Sequence, residues 1–502
     1  MRTRSPDCST VLHRSTALRS STALHSAVLL VSLAWLLPAG TAAQEVDRLR
    51  RQAWEVVDAH ATELAELSDA VWRYAETSLK EVRSAAVLAD YLERQGFRVE
   101  RGVAEMPTAF TATWGSGRPV IGILAEFDAL PGLSNVASPE HLPITEGTPG
   151  HGCGHNLFGA GSIGAALAAK DVLVRNGLSG TIRLFGCPAE ETVIGKVYMA
   201  KAGVFDGLDV CLDWHPGTET GVGFSSSQAM NNFTVEFFGK TAHGAGDPWN
   251  GRSALDAVEL MDHAVNMLRE HVVPTTRIHY VITDGGGAPN VVPAYAKVWY
   301  YVRDKDRAGV EPTYQWVLKT AEGAAMATQT TFKVTLLTGV HSYLLNRPLT
   351  ELLDRNLNAV GPPVWTEEEQ SFARTIQREL GVEEKGLATG IKDMPAQEQP
   401  AGGGSTDVAE VSRICPTARI TVVSSPIGSP GHSWPITACG GMSIGHTTVV
   451  TAAKALGAAA VELLVSPEVI AAAQAEFQEK MKGRPYQSPI PKEQKPPPPP
   501  GF

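Results

Sequence analysis

Residues 120–132 read Val-Ile-Gly-Ile-Leu-Ala-Glu-Phe-Asp-Ala-Leu-Pro-Gly. The first six are apolar or glycine at every position, so the segment suits a strand buried on both faces rather than a half-exposed one. Two carboxylates, Glu126 and Asp128, then arrive before Pro131-Gly132 turns the chain. The same pattern recurs. Residues 181–186 run into Cys187-Pro188-Ala189-Glu190-Glu191, residues 208–212 into Asp213-Trp214-His215-Pro216-Gly217, and residues 420–423 towards Ser429-Pro430-Gly431-His432-Ser433. Between the first two strands stand Gly150-His151-Gly152-Cys153-Gly154-His155-Asn156 and a small-residue helix over 157–174. Doubly buried strands alternating with helices predict an α/β fold, helices covering both faces of a mixed sheet. Strand ends in such sheets face a common crevice. Five acidic or metal-capable clusters therefore converge on one edge.

Working outward, residues 44–97 are helical in pattern, with Leu64, Leu67, Val71, Trp72 and Tyr74 near a 3.6 repeat and Gly96 as the stop. Residues 228–340 read differently. Phe233, Val235 and Phe237 alternate, 253–270 is an amphipathic helix, 277–283 and 297–303 are strands, 310–327 is helical and 331–337 is a last strand. That βαββαβ order is the ferredoxin-like unit. It interrupts a catalytic domain made of 44–227 and 341–484. A Thr366…Glu369 capping box opens one further helix. Residues 485–502, with five consecutive prolines, predict a disordered tail.

At the other end, Arg2, Arg4, Arg14 and Arg19 precede an apolar run over 27–37, then small residues to Ala43. The run is shorter than the ~20 residues a spanning helix needs, so residues 1–43 predict an export signal and a periplasmic or secreted protein. Its four arginines and one aspartate leave a remainder more acidic than the −10 of the whole chain. Neither nucleic acid nor an anionic membrane is then an expected partner. The five cysteines beyond Cys8 are odd in number and contain no CxxC, which is no disulfide framework.

A single histidine after a strand is commonly a surface or satisfied one, and adjacent glutamates are commonly solvated. The Cys153-Gly154-His155 loop is more specific, because its glycines let a sulfur and an imidazole approach one metal ion. The helix N-terminus that follows is expected to favour the Cys153 thiolate. A structural zinc site is disfavoured, since carboxylates Glu190 and Glu191 join a set that would otherwise be Cys and His.

Seven runs taken in order carry a family resemblance: LAEFDALPG (124–132), GHGCGHN (150–156), PAEE (188–191), WHPG (214–217), GKTAHGA (239–245), GGGAPNVVP (285–293) and GSPGHSW (428–434). The chain resembles the glutamate carboxypeptidase–aminoacylase superfamily of dinuclear metallohydrolases, on its aminobenzoyl-glutamate hydrolase B-subunit branch. The resemblance implies two metal ions, zinc or manganese, on Cys153, His155, Glu191, His215 and His432, with Cys153 between them. It implies Glu190 as general base and Asp128 as the carboxylate orienting a ligand. On the inserted lid it implies His243 reaching a neighbouring subunit's active site, Asn290 holding substrate and Arg303 gripping the substrate carboxylate. Asn156 stands where the auxin-conjugate branch has Asp, and Glu126 where carboxypeptidase-type members have a His ligand. The expected activity is hydrolysis of an N-acyl or N-aroyl amino acid, p-aminobenzoyl-glutamate first, by a homodimer with or without a second hydrolase subunit. Two rivals are a dipeptidase or aminoacylase with the same residues, and a non-catalytic partner subunit. The intact ligand set with its base argues against the latter.

Overall fold

The computed structural model describes residues 39–499, with side chains from residue 43 onward. The predicted export segment, residues 1–43, is outside the described residues except for the backbone at its end. Among the described residues, eleven strands form two sheets: β1 Arg98–Arg101, β2 Phe110–Ser116, β3 Val120–Glu126, β4 Gly180–Cys187, β5 Val210–Gly217, β6 Gly221–Gly223, β7 Ala229–Phe238, β8 Arg277–Asp284, β9 Tyr295–Asp304, β10 Thr331–Val340 and β11 Thr417–Val423.

The larger sheet runs β1-β2-β4-β3-β5-β11-β6. Its centre is parallel, β4-β3-β5-β11, and its margins are antiparallel. This is the mixed sheet expected, with three strands that sequence reasoning did not find. β1 and β2 form an antiparallel flap on one margin and β6 closes the other. The strand expected over 208–212 continues to Gly217, so His215 sits on the strand itself rather than in the loop beyond it.

Helices His155–Asn176 and Ser443–Val465 pack together against this sheet. Both are long and apolar enough to cross a bilayer, yet most of each is buried inside the protein. Their small residues are needed for that approach. A Cβ on Gly164 would meet the Cβ of Ala453 at 2.7 Å, and one on Gly161 would meet the Trp214 ring at 2.7 Å. Trp214 is fully buried on this side of β5. Alternation then sends Asp213 and His215 to the opposite side.

The smaller sheet, β10-β7-β9-β8, is antiparallel throughout. Helices Ala254–Leu268 and Arg307–Thr328 cover one face, and the order β7-α-β8-β9-α-β10 is the βαββαβ expected. Along β9, Ala296, Val298, Tyr300 and Val302 are fully buried in the core shared with those helices. Trp299, Tyr301 and Arg303 alternate onto the other face, half-buried.

The expectation of a tail without packing from residue 485 fails over its described start. Tyr486 donates to Glu410 Oε2 at 2.6 Å, Ile490 is buried, and Gln494 Nε2 donates to Tyr198 Oη and the Leu336 carbonyl at 2.7 and 2.6 Å. Composition weighs the prolines. It does not register three side chains that dock between them.

Candidate metal centre

The strand ends bring Glu126, Asp128, Cys153, His155, Glu190, Glu191, His215 and His432 to one edge. Ligand atoms fall into three groups whose members lie within 4.8 Å of one another: Cys153, His155 and His215; Cys153, Glu191 and His432; and Glu126, His155 and Glu190. Cys153 belongs to the first two groups, so one sulfur can serve two ions. The adjacent Glu190 and Glu191 fall in different groups. Ala189, with φ of 57°, sets the left-handed kink from which they diverge, and His432 is itself held at φ 53°.

The imidazoles are oriented from behind. His155 is fully buried, its Nδ1 2.9 Å from Asp128 Oδ1, which leaves Nε2 facing inward. His215 has Nδ1 2.6 Å from the Pro216 carbonyl oxygen, so Nδ1 carries the hydrogen and Nε2, 3.5 Å from Cys153 Sγ, presents its lone pair. Asp128 also accepts from the Glu191 amide at 2.9 Å, tying the glutamate loop to the histidine. His432 Nε2 lies 3.4 Å from Glu191 Oε2 at the exposed rim.

Electrostatics supply the test of whether cations fit. Burial, then Arg419 and His155, lower His215 to about 3, so it is the neutral imidazole a metal needs. Burial pushes Glu191 up to about 7 and raises Glu190 well above a normal glutamate, with neighbouring carboxylates adding to both. Burial and Glu191 push the Cys153 thiol up to about 12. A positive charge held against the sulfur would favour its thiolate. Glu126 Oε2, His155 Nε2 and Glu191 Oε1 are buried without hydrogen-bond partners. Three such orphaned acceptors or donors, a sulfur and two further histidines, in groups that share Cys153 and His155, fit divalent ions with mixed N, S and O ligation.

Sequence reasoning missed a second tier. Fully buried Lys196 places Nζ 2.6 Å from Glu126 Oε1 and 2.7 Å from Asp407 Oδ1. Asp407 Oδ2 also accepts from the Lys196 backbone. These residues are far apart in sequence, and only the all-apolar setting of a lysine in residues 193–200 hinted at it. From the lid, Arg303 stacks its guanidinium on Tyr301 at 5.3 Å and points Nη1 to the Gly403 carbonyl oxygen at 3.5 Å. Trp299 stands edge-on to Tyr301, centroids 5.6 Å apart. Both rings line a cavity of ≈ 340 Å³ with Leu130, Pro131 and the clustered Glu191. A larger cavity of ≈ 920 Å³ lies under residues 484–492, lined by none of the clustered residues, so chemistry rather than size locates the site. His243 and Asn290 do not join the centre. They share one exposed stretch of the lid, where Gly244 N donates to the Asn290 carbonyl at 2.8 Å and His243 Nδ1 accepts from Ala245 and Gly246.

Residues 227–319 match the peptidase dimerisation domain of the M20 family. A component of the p-aminobenzoyl-glutamate hydrolase of Escherichia coli, its B-subunit, is 37% identical over 471 residues, 88% of this chain and 98% of the relative. The chain belongs to the M20 family. Human Xaa-Arg dipeptidase, 28% identical, matches across 87% of this chain and 94% of its own. A dinuclear metal-binding M20 peptidase from Bacillus subtilis superposes with a TM-score of 0.52, covering 81% of this chain and 99% of its own at 18% identity, a likeness of fold alone. Within the M20 frame the inserted lid is a dimerisation domain, and the clustered ligand atoms stand at the strand ends beside it.

Proposed function

We propose that this M20 protein is a metal-dependent amidohydrolase that cleaves N-aroyl amino acids, with p-aminobenzoyl-glutamate as its leading substrate. The observation that carries the reading is the arrangement around Glu191: a shared-sulfur ligand set on one side and an aromatic cavity, Trp299 and Tyr301 over Leu130 and Pro131, on the other. A flat acyl ring fits that cavity with its carbonyl directed at the ligand set. Arg303 lies two residues along the same strand face as Tyr301, and its guanidinium would pair with the amino-acid carboxylate.

Cys153, His155, His215, Glu191 and His432 would hold two divalent ions, zinc or manganese. Such ions polarise a scissile carbonyl and bring the pKa of water towards neutrality. Glu190 accepts the proton of the attacking water at its carboxylate and delivers it to the leaving nitrogen. Burial, then Glu126, Asp407 and Glu191, raise its proton affinity well above that of an ordinary glutamate, which suits a group that must hold the proton in transit; cations held beside it would keep it ionised until that proton arrives. Asp128 keeps His155 in one tautomer. His243, exposed on the lid with its Nδ1 engaged, acts in the site of a second copy, which makes the homodimer the working unit. Residues 1–43 direct export.

The identity to the E. coli relative and the aromatic cavity together support the aroyl substrate over a dipeptide. Turnover of the metal-loaded chain on a panel of N-aroyl, N-acyl and dipeptide substrates, read by mass spectrometry with metal content on the same sample, tests this. Preference for a dipeptide by kcat/KM would overturn the substrate, and metal-free protein with full turnover would overturn the class.

A further inference from the structure

A third cavity, ≈ 280 Å³, lies one strand from His215 and has no part in the chemistry above. Arg419 and Thr421 of β11 form its floor, in register with Asp213 and His215 of β5. Strand spacing of ~4.8 Å and a two-residue advance of ~6.7 Å put the Arg419 Cα about 8 Å from that of His215. The walls are residues 225–227, which lead into the lid, Tyr343, which follows it, and Gly402, Gly404, Ser405 and Thr406 of an irregular segment. This frame is built. Gln228 N donates to the Gly404 carbonyl at 2.8 Å, Gly402 N to that of Ser226 at 3.1 Å, and Ser226 Oγ to that of Tyr343 at 2.7 Å. The Gly403 carbonyl oxygen, in the same wall, is the one that Arg303 meets.

Its polar groups are under-used. Arg419 gives Nε to Asp213 Oδ2 at 2.5 Å, and its two terminal nitrogens have no hydrogen-bond partner among the described residues. Tyr343, 8% exposed, has a buried hydroxyl without a partner, and so has Ser405. Among the described residues no carboxylate lines the cavity. The two buried hydroxyls, left unmatched, cost free energy unless something supplies partners. A guanidinium fork beside hydroxyls matches a carboxylate. Since Asp213 already balances part of the Arg419 charge, a monoanion suits the site better than a phosphate. The volume falls just below the ~300 Å³ at which whole-ligand sites begin, so it takes a side-chain-sized group.

We propose that this cavity is a carboxylate subsite, with the Arg419 terminal nitrogens gripping both oxygens and the Tyr343 and Ser405 hydroxyls completing the shell. Two sources carry that chemistry. One is the side-chain carboxylate of a dicarboxylic acyl-amino acid, a choice that rests on the amidohydrolase reading. The other is a free small dicarboxylate seated where both chain runs join the lid.

The test uses the metal-loaded full chain with Ser405→Ala and Tyr343→Phe, because removing Arg419 would strand Asp213. Two quantities are read: kcat/KM for the p-aminobenzoyl conjugate of glutamate relative to that of alanine, and the rise in Tm with glutarate relative to glutaramide. A fall in the substrate ratio of about fivefold or more in each variant assigns the site to the substrate's side chain. An unchanged ratio with a glutarate-specific Tm rise that both variants lose assigns it to a free dicarboxylate. A ratio within about twofold of wild type, together with no glutarate-specific rise, overturns the proposal. If neither conjugate is hydrolysed, the amidohydrolase substrate fails while the glutarate measurement still decides the subsite.

Discussion

Glu190→Gln separates a proton carrier from a metal ligand. The amide keeps the size and hydrogen-bonding reach of the carboxylate, so no void opens in a buried site. Glu190 groups with Glu126 and His155, so the substitution leaves the separate group of Cys153, Glu191 and His432 untouched. Its ionised form is opposed by burial and then by Glu126, Asp407 and Glu191. Gln cannot ionise, so the variant never carries the charge that its surroundings oppose, and it should melt no lower than wild type. What it loses is proton transfer, typically worth ~10²–10⁴ in rate. A fall in kcat of at least ~10² corresponds to about 2.7 kcal/mol of transition-state stabilisation. Steady-state release of product, metal content and Tm on one preparation give all three readings. Glu191→Gln should instead weaken metal retention and regain activity in excess metal. Retained turnover in Glu190→Gln, or metal lost from it and kept by Glu191→Gln, would refute the division of roles.

Cys153→Ala should lose bound metal and activity together, as should prolonged chelation of wild type; mass spectrometry showing full metal occupancy in the variant contradicts the shared-sulfur site. Mixing inactive His243→Ala with inactive Glu190→Gln chains should restore part of the activity through hybrid dimers, and a mixture that stays inactive after proven subunit exchange rules out action across the dimer. Acid should loosen the docked tail. Burial raises Glu410, but His341 and Tyr486 outweigh it and hold the carboxyl below its ordinary 4.5. The stabilisation is then complete above about pH 4.5 and is lost as pH falls through the lowered value. Glu410→Gln should flatten the acid limb of a Tm-against-pH curve, and an unaltered limb would show that this carboxylate does not contribute.

The lid was legible almost strand by strand, because β7 and β9 alternate cleanly between a helix-covered face and an open one. The parallel centre was legible too, from runs with no polar position. β1 was not: Arg98-Val99-Glu100-Arg101 is an exposed margin with no buried face to leave a pattern. β5 was cut short because Asp213 and His215 look like loop residues, whereas one pairs with Arg419 and the other turns to the metal cluster. Side-chain types singled out residues whose ligand atoms cluster at the strand ends. Lys196 and Asp407 stayed hidden, since a buried ion triad spread over residues 126–407 has no local signature. The aromatic pair Trp299 and Tyr301 could be placed on one face of β9 from alternation, but nothing in the sequence said which face shares a cavity with Glu191.

The place of β11 in the larger sheet governs when this protein can become active. β5 and β6 are neighbours in sequence, yet β11 lies between them, and its partner Cys211 is two hundred residues upstream of Thr417. Closing so long a loop is slow compared with local pairing. The lid, whose strands pair within residues 229–340, can fold as a unit while the sheet beside it is still open. Until residues 417–423 arrive, the His215 strand lacks its outer neighbour and His432 has not yet followed. During synthesis, an ion held by the upstream ligands would wait on the last fifth of the chain for the rest of its coordination shell.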